Sequence, residues 1–184
     1  MKDHPLAFID LETTGVDPNV HEIIEIGVVR TRQTGDPREP LVEVDRFEIK
    51  IIPEHIEVAD PKALQVNHYN KEDWKDAVLF QDASTILDEK LKGHILVAQN
   101  VAFDVGFLAR AYEHVGKRLD SVVYYHKLDL ASFAIGKEYW NPTYRRFTLN
   151  ELTQNTGLKN TRAHSALADA VVTFEIAHIL LKKP

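Results

Sequence analysis

The chain has 184 residues, no cysteine, 44% apolar residues and a formal net charge of −6. That is enough for one domain with a substantial core, read as a single domain over residues 1–184. It excludes disulfides and thiolate metal sites, and the charge does not advertise nucleic-acid binding by bulk electrostatics. The opening residues, Met1-Lys2-Asp3-His4-Pro5, lack the apolar segment of a signal peptide, and no apolar run approaches membrane-spanning length. The expectation is a soluble cytoplasmic protein with no membrane partner.

In chain order, Leu6, Phe8 and Ile9 begin a β-favouring run, and Thr13-Thr14-Gly15 breaks it. Asp10 and Glu12 sit in that run. Two apart on a strand, their side chains share a face roughly 6.5–7 Å apart along it. Two carboxylates so placed repel, and a hard divalent cation that takes oxygen ligands is a natural neutraliser. Taken alone, the pair is better explained as acids at a strand end that simply reach water, and the rest of the chain has to change that. His21 to Arg32 reads as a second strand and Leu41 to Ile52 as a third, with the turn cluster Gln33-Thr34-Gly35-Asp36-Pro37 between them. Helical stretches follow near Pro61–Asn67 and Ala83–Lys92, then a short buried strand, His94–Ala98. From Phe103 the spacing of Phe107, Leu108, Ala111, Tyr112 and Val115 is helical, ending at Gly116. Val122–Tyr125 reads as the last strand, and Leu128–Ile135 and Thr148–Thr156 as helices. The latter opens with a capping-box pattern, Thr148 to Glu151, and closes at Gly157. The last helix covers Ser165–Leu181, with Leu167, Val171, Phe174 and Leu181 as its buried stripe.

A meander followed by alternating helices and strands predicts an α/β protein: a mixed five-stranded sheet, antiparallel meander plus parallel strands, flanked by helices. The first strand and His94–Ala98 form the central pair, and a site is expected at their carboxyl ends. Asp104 lies in the first turn of the helix after that strand, where an acid also suits the helix dipole. Asp169, on the last helix, falls about 200° around from Leu167. That position suits a solvated acid, although the small neighbours Ala166, Ala168 and Ala170 allow close packing.

Three segments together carry a family resemblance: Asp10-Leu11-Glu12-Thr13-Thr14-Gly15, then Gln99-Asn100-Val101-Ala102-Phe103-Asp104-Val105-Gly106-Phe107, then His164-Ser165-Ala166-Leu167-Ala168-Asp169-Ala170. They resemble the motifs of the DEDDh group of 3′→5′ exonucleases, which includes the proofreading subunit of bacterial replicative polymerases, ribonuclease T and oligoribonuclease. The histidine stands five residues before the last aspartate, and the tyrosine of the sister group is absent, since Ser165 holds that position. One departure is Gln99, where the family often has histidine; this bears on contacts to the substrate end rather than on activity.

The resemblance implies a ribonuclease H-like fold and phosphodiester hydrolysis with two divalent metal ions, Mg²⁺ or Mn²⁺. It implies catalytic roles for Asp10, Glu12, Asp104, His164 and Asp169, the four acids as metal ligands and His164 as the base that takes the proton from the attacking water. Asp10 would bridge the ions, Glu12 and Asp169 would complete the nucleophile side, and Asp104 would act mostly through water. Leu11, Thr13, Thr14, Asn100, Phe103 and Phe107 are the candidate substrate-binding residues; core packing explains the two phenylalanines as well. Arg145, Arg146, Lys159 and Arg162 could hold phosphates, or simply face solvent.

The implied partner is a nucleic acid with a free 3′ end, single-stranded DNA first, with RNA ends or short oligoribonucleotides as the alternative. A non-catalytic binding module would be expected to have lost one of the five catalytic positions, and all are filled. The chain ends at Leu181-Lys182-Lys183-Pro184, soon after the last helix. Polymerase association is therefore not evident, and a stand-alone enzyme, or a domain cut from a longer protein, is expected. A homodimer is compatible with this reading.

Overall fold

The structure is a computed structural model that describes residues 3–160 and 165–182. A five-stranded sheet lies at its centre, in the order β3-β2-β1-β4-β5. Strands β1 (Leu6–Thr13), β2 (Ile23–Gln33) and β3 (Leu41–Lys50) form the antiparallel meander, and β4 (Ile95–Ala98) and β5 (Lys127–Asp129) run parallel to β1. The mixed sheet with β1 and β4 as its central pair is thus as expected. The helices are α1 (Pro61–Val66), α2 (Phe80–Lys90), α3 (Val101–His114), α4 (Leu130–Glu138), α5 (Leu149–Asn155) and α6 (Ala166–Lys182). None is long and apolar enough to cross a membrane among the described residues.

The period-2 alternation of β1 divides the core. Ala7, Ile9 and Leu11 face one layer, where α2 contributes Ala83 and Leu87, and α3 contributes Phe107, Leu108 and Tyr112. Leu6 and Phe8 face the other, where Leu130 and Ala134 of α4, Leu152 of α5, and Ala170, Ile176 and Leu180 of α6 pack. Each fully buried Ile or Leu there contributes about 1.5–3 kcal/mol relative to exposure. Ile176→Ala would cost about 2–5 kcal/mol, because the sheet beneath α6 cannot collapse into the hole. Asp10 and Glu12 continue the even-numbered series, so they point to the α6 layer.

Three sequence expectations shift. The last strand is Lys127–Asp129, and Val122–Tyr125 is an irregular connection in which Tyr124 N–H donates to the His94 carbonyl and Tyr125 is exposed. Leu128 and Asp129 therefore belong to β5, and the following helix begins at Leu130. On α6 the buried residues are Ala166, Asp169, Ala170, Val172, Thr173, Ile176, Ala177 and Leu180; Leu167, Val171 and Phe174 are partly buried beside them and Leu181 is exposed. The first half of the helix meets the sheet with small residues, Ala166, Ala170 and Thr173, beside Asp169, and Ile176 and Leu180 fill the buried face further along.

Local signals explain the ends. Pro61 occupies the first turn of α1, and Asp60 caps it by accepting from Lys62 N–H at 2.8 Å. Thr148 caps α5, accepting from Glu151 N–H. The Glu151 carboxylate accepts from Arg145 N–H at 2.6 Å, tying the preceding loop to the helix. Gly116 and Gly157 end α3 and α5 at positive φ.

Candidate active site

Strand β1 runs past its parallel neighbour. β4 pairs only with Leu6, Ala7 and Phe8, so the backbone from Ile9 onward has no strand on that side. Asp104, from the first turn of α3, fills part of the gap and its carboxylate accepts from Leu11 N–H. On the opposite side β1 stays paired with β2, with Asp10 opposite Gly27 and Glu12 opposite Glu25, and a bulge follows at Glu12/Thr13. Partners in register share a face, so Gly27 and Glu25 also point to α6.

Gly27 decides how close α6 can come. A Cβ there would overlap the backbone of Ala166 and Leu167, so no other residue type fits without moving the helix. With that gap, the first turn of α6 lies on β2 and Asp169 reaches Asp10 and Glu12. One carboxylate oxygen from each of these three lies within 4.8 Å of the others. Asp104 stands outside that group, and after burial its charge is the largest influence on Asp10. His164 and Arg162 lie outside the described residues.

The electrostatics follow from crowding. Burial, then Asp104, Asp169, Glu12 and Glu25, hold the Asp10 carboxyl well above the usual range. Burial, Asp169 and Glu25 push Glu12 from an ordinary 4.5 up to about 8. Burial raises Asp104 against the pull of its hydrogen bonds from its own amide and from Leu11. Glu25 rises to about 7, through burial and the adjacent Glu48, against a hydrogen bond from Ala166 N–H. Carboxylates collected at this cost fit a divalent cation, which restores their charged form and uses their oxygens as hard ligands. Asp169 also accepts from the Asn160 amide.

Beside the acids lies an open cleft lined by Leu11, Glu12, Thr13, Gly15 and Val16, by Phe103, and by Asp60, Lys62, Ala63, Val66 and Asn67 at α1. Leu11, Thr13 and Phe103 are thus brought to one place. Thr14, Asn100 and Phe107 are not among the residues lining it. Thr14 is fully buried and its hydroxyl accepts from Glu22 N–H at 2.9 Å, which closes the turn after β1. Asn100 adopts the left-handed conformation (φ 63°) that starts α3. Phe107 is in the core, stacked at a tilt on Phe103 with centroids 4.8 Å apart. Gly15 has no side chain because the His21 ring covers it. Gln99 donates to the Phe147 carbonyl at 2.7 Å, so the residue that departs from the family pattern ties β4 to the loop before α5. Arg145, Arg146 and Lys159 are exposed.

Sequence reading passed over several residues here. Asn67 donates to the Thr13 carbonyl at 2.8 Å and, with Asp60 N–H on the Thr14 carbonyl, fixes α1 as a cleft wall. Asp129 accepts from Val101 N–H at 3.0 Å and from Ser132 N–H at 2.7 Å, joining the start of α3 to β5. Only Asp129, directly before a helix, carried a legible cue, that of an N-cap.

Residues 7–177 match the family model described as Exonuclease. This chain belongs to the exonuclease family. Among curated relatives, the 3′-5′ exonuclease DinG of Staphylococcus saprophyticus is 28% identical over 180 residues, covering 96% of this chain and 18% of that protein. The PolC-type DNA polymerase III of Listeria monocytogenes is 30% identical over 186 residues, covering 99% and 12%. The chain thus spans less than a fifth of the length of either relative. Among solved structures, E. coli exonuclease I bound to a dT13 oligonucleotide matches with a TM-score of 0.77 at 17% identity, covering 96% of this chain and 41% of that one. Its zinc-bound complex with single-stranded DNA matches at 0.81 and 16%, covering 97% and 40%. The exonuclease domain therefore has the ribonuclease H-like fold, and its acidic cluster is a donor set that could hold a metal ion.

Proposed function

We propose that this chain is a metal-dependent 3′→5′ exonuclease that removes nucleoside 5′-monophosphates from the 3′ end of single-stranded DNA. The observation that carries the reading is the meeting of Asp10, Glu12 and Asp169, with Asp104 beside them, at the free end of the central strand of an exonuclease-family fold. The relative's 3′-5′ polarity and the oligonucleotide held by the structural neighbour support direction and substrate.

Asp10, Glu12, Asp104 and Asp169 would hold two divalent cations, Mg²⁺ or Mn²⁺. Bound there, such ions lower the pKa of water and stabilise charge on the leaving oxygen. The chain's own residues do the rest. His164 takes a proton from the attacking water. The water oxygen adds to phosphorus and the bond to the 3′ oxygen of the preceding nucleotide breaks; that oxygen takes a proton from solvent to become a new 3′ hydroxyl, and His164 returns its proton to solvent. Leu11, Thr13 and Phe103 seat the terminal nucleotide, and α1 walls the cleft beside it. Residues 1–184 would act as one catalytic unit.

The test is digestion of matched 3′-labelled DNA and RNA oligomers, single- and double-stranded, with Mg²⁺ or Mn²⁺ and with excess chelator. Labelled mononucleotide from single-stranded DNA, metal-dependent and absent in chelator, is expected. Preferential digestion of RNA would move the assignment to an exoribonuclease, and full activity in chelator would remove the metal mechanism.

A further inference from the structure

Glu25 lies beside the acidic cluster but not in it. It is 4% exposed and stands directly opposite Glu12 in the β1–β2 pair. Like charges in that relation weaken a strand pair, so Glu25 carries a cost where an apolar side chain would not. Its oxygens are not among those that converge within 4.8 Å in the group of Asp10, Glu12 and Asp169. Instead its Oε1 accepts from the Ala166 N–H at 2.8 Å, in a buried contact. That amide is one of the first in α6, which have no partner inside their own helix, and a negative group there complements the helix dipole. Two residues along β2, Gly27 leaves the space that the Ala166–Leu167 backbone occupies. The same turn closes with Asp169 N–H on the Ser165 carbonyl at 3.0 Å.

We propose that Glu25 is a positioning residue: its carboxylate oxygen, with the gap at Gly27, sets where the first turn of α6 lands and so brings Asp169 to Asp10 and Glu12. This rests on the metal-holding role proposed for those three acids. Glu25 acts through the helix amide as a hydrogen-bond acceptor, so an isosteric amide can replace it. The nearest precedent in kind is the outer group that orients a metal ligand, whose loss costs about 10–100-fold in metal affinity or activity.

The experiment measures Mn²⁺ binding without substrate, by the electron paramagnetic resonance signal of the free ion, in the parent chain, Glu25→Gln, Glu25→Ala and Gly27→Ala. Steady-state kinetics on an oligonucleotide run alongside. Glu25→Gln should bind Mn²⁺ close to the parent, because its amide oxygen still accepts from Ala166. Glu25→Ala should bind about 10-fold or more weakly, with kcat lowered and KM for the oligonucleotide unchanged. Gly27→Ala removes no acid yet should show the same pattern, which keeps the proposal testable if Glu25→Ala does not fold. Parental Mn²⁺ binding in folded Glu25→Ala or Gly27→Ala would overturn it. So would a Glu25→Gln as weak as Glu25→Ala, since charge rather than hydrogen bonding would then matter. A parent chain that binds no Mn²⁺ would instead overturn the metal-holding reading beneath it.

Discussion

The acidic cluster predicts that the metal-free protein becomes less stable as pH rises, and Glu12→Gln isolates this. Glu12 titrates near 4.5 when unfolded and at about 8 in the folded chain, raised by burial and then by Asp169 and Glu25. Between those values the folded state binds more protons, so the slope of stability against pH is negative. The contribution is fully present below about 4.5 and is lost as pH rises through about 8. At about 1.36 kcal/mol per pH unit, the span sets a ceiling of roughly 5 kcal/mol. Relaxation and water penetration, expressed as an effective dielectric near 20, reduce it to about 1–2 kcal/mol. Glu25, raised to about 7, adds in the same direction with a lower upper edge. In chelator at pH 8.5, Glu12→Gln should therefore melt roughly 2–8 °C above the parent, at about 2–4 °C per kcal/mol for a chain of this size. Its melting temperature should also fall less steeply from pH 6 to pH 9. The assay is a set of thermal melts across that range. Adding Mn²⁺ should reverse the order, because binding would stabilise the parent by mass action and Glu12→Gln removes one of the proposed ligands. If Glu12→Gln in chelator melts at or below the parent with the same pH slope, the carboxyl is not carrying the strain assigned to it.

The same geometry sets further outcomes. His164→Ala should keep Mn²⁺ binding but slow single-turnover hydrolysis by about 10²–10⁴-fold, with a flatter acidic limb in the rate profile; an unchanged rate would move the base elsewhere. A 3′-phosphate should block digestion, and a 5′ label should be released last; prompt cutting of circular single strands would mean an endonuclease. Ca²⁺ should bind yet support little turnover, because its looser coordination places groups poorly, and Ca²⁺ rates equal to those with Mn²⁺ would contradict that. Asn67→Ala should raise KM for oligonucleotide more than it lowers kcat, since it loosens the α1 wall through the Thr13 carbonyl while leaving the acids in place. A kcat loss with unchanged KM would count against that role.

The acids were legible because their spacing is rigid. Asp10 and Glu12 share a face by the strand's period, and Asp104 follows a strand end. Asp169 was harder, since in the first half of α6 Leu167, Val171 and Phe174 pack at the flanks while alanine, threonine and Asp169 itself form the buried face. Strand β5 was misplaced because Val122–Tyr125 is the more β-like sequence. The three residues Lys127–Asp129 are extended because β4 offers them an edge, a tertiary effect that propensity does not contain. Glu25 and Gly27 were invisible in the run Ile23-Ile24-Glu25-Ile26-Gly27: one reads as a polar interruption and the other as flexibility. Only the approach of a helix more than a hundred residues later in the chain gives them a purpose. Thr14 and Phe107 carried a motif signal, yet the turn and the core use them.

The central claim is that the carboxylates around Asp10 remove nucleotides from a free 3′ end with bound metal. The most direct measurement is digestion of a 5′-labelled single-stranded DNA oligomer in Mn²⁺ by the parent and by Asp10→Asn, at equal concentrations of folded protein. The parent should give a ladder that shortens from the 3′ end, and folded Asp10→Asn should leave the oligomer intact. An identical ladder from Asp10→Asn would contradict the account.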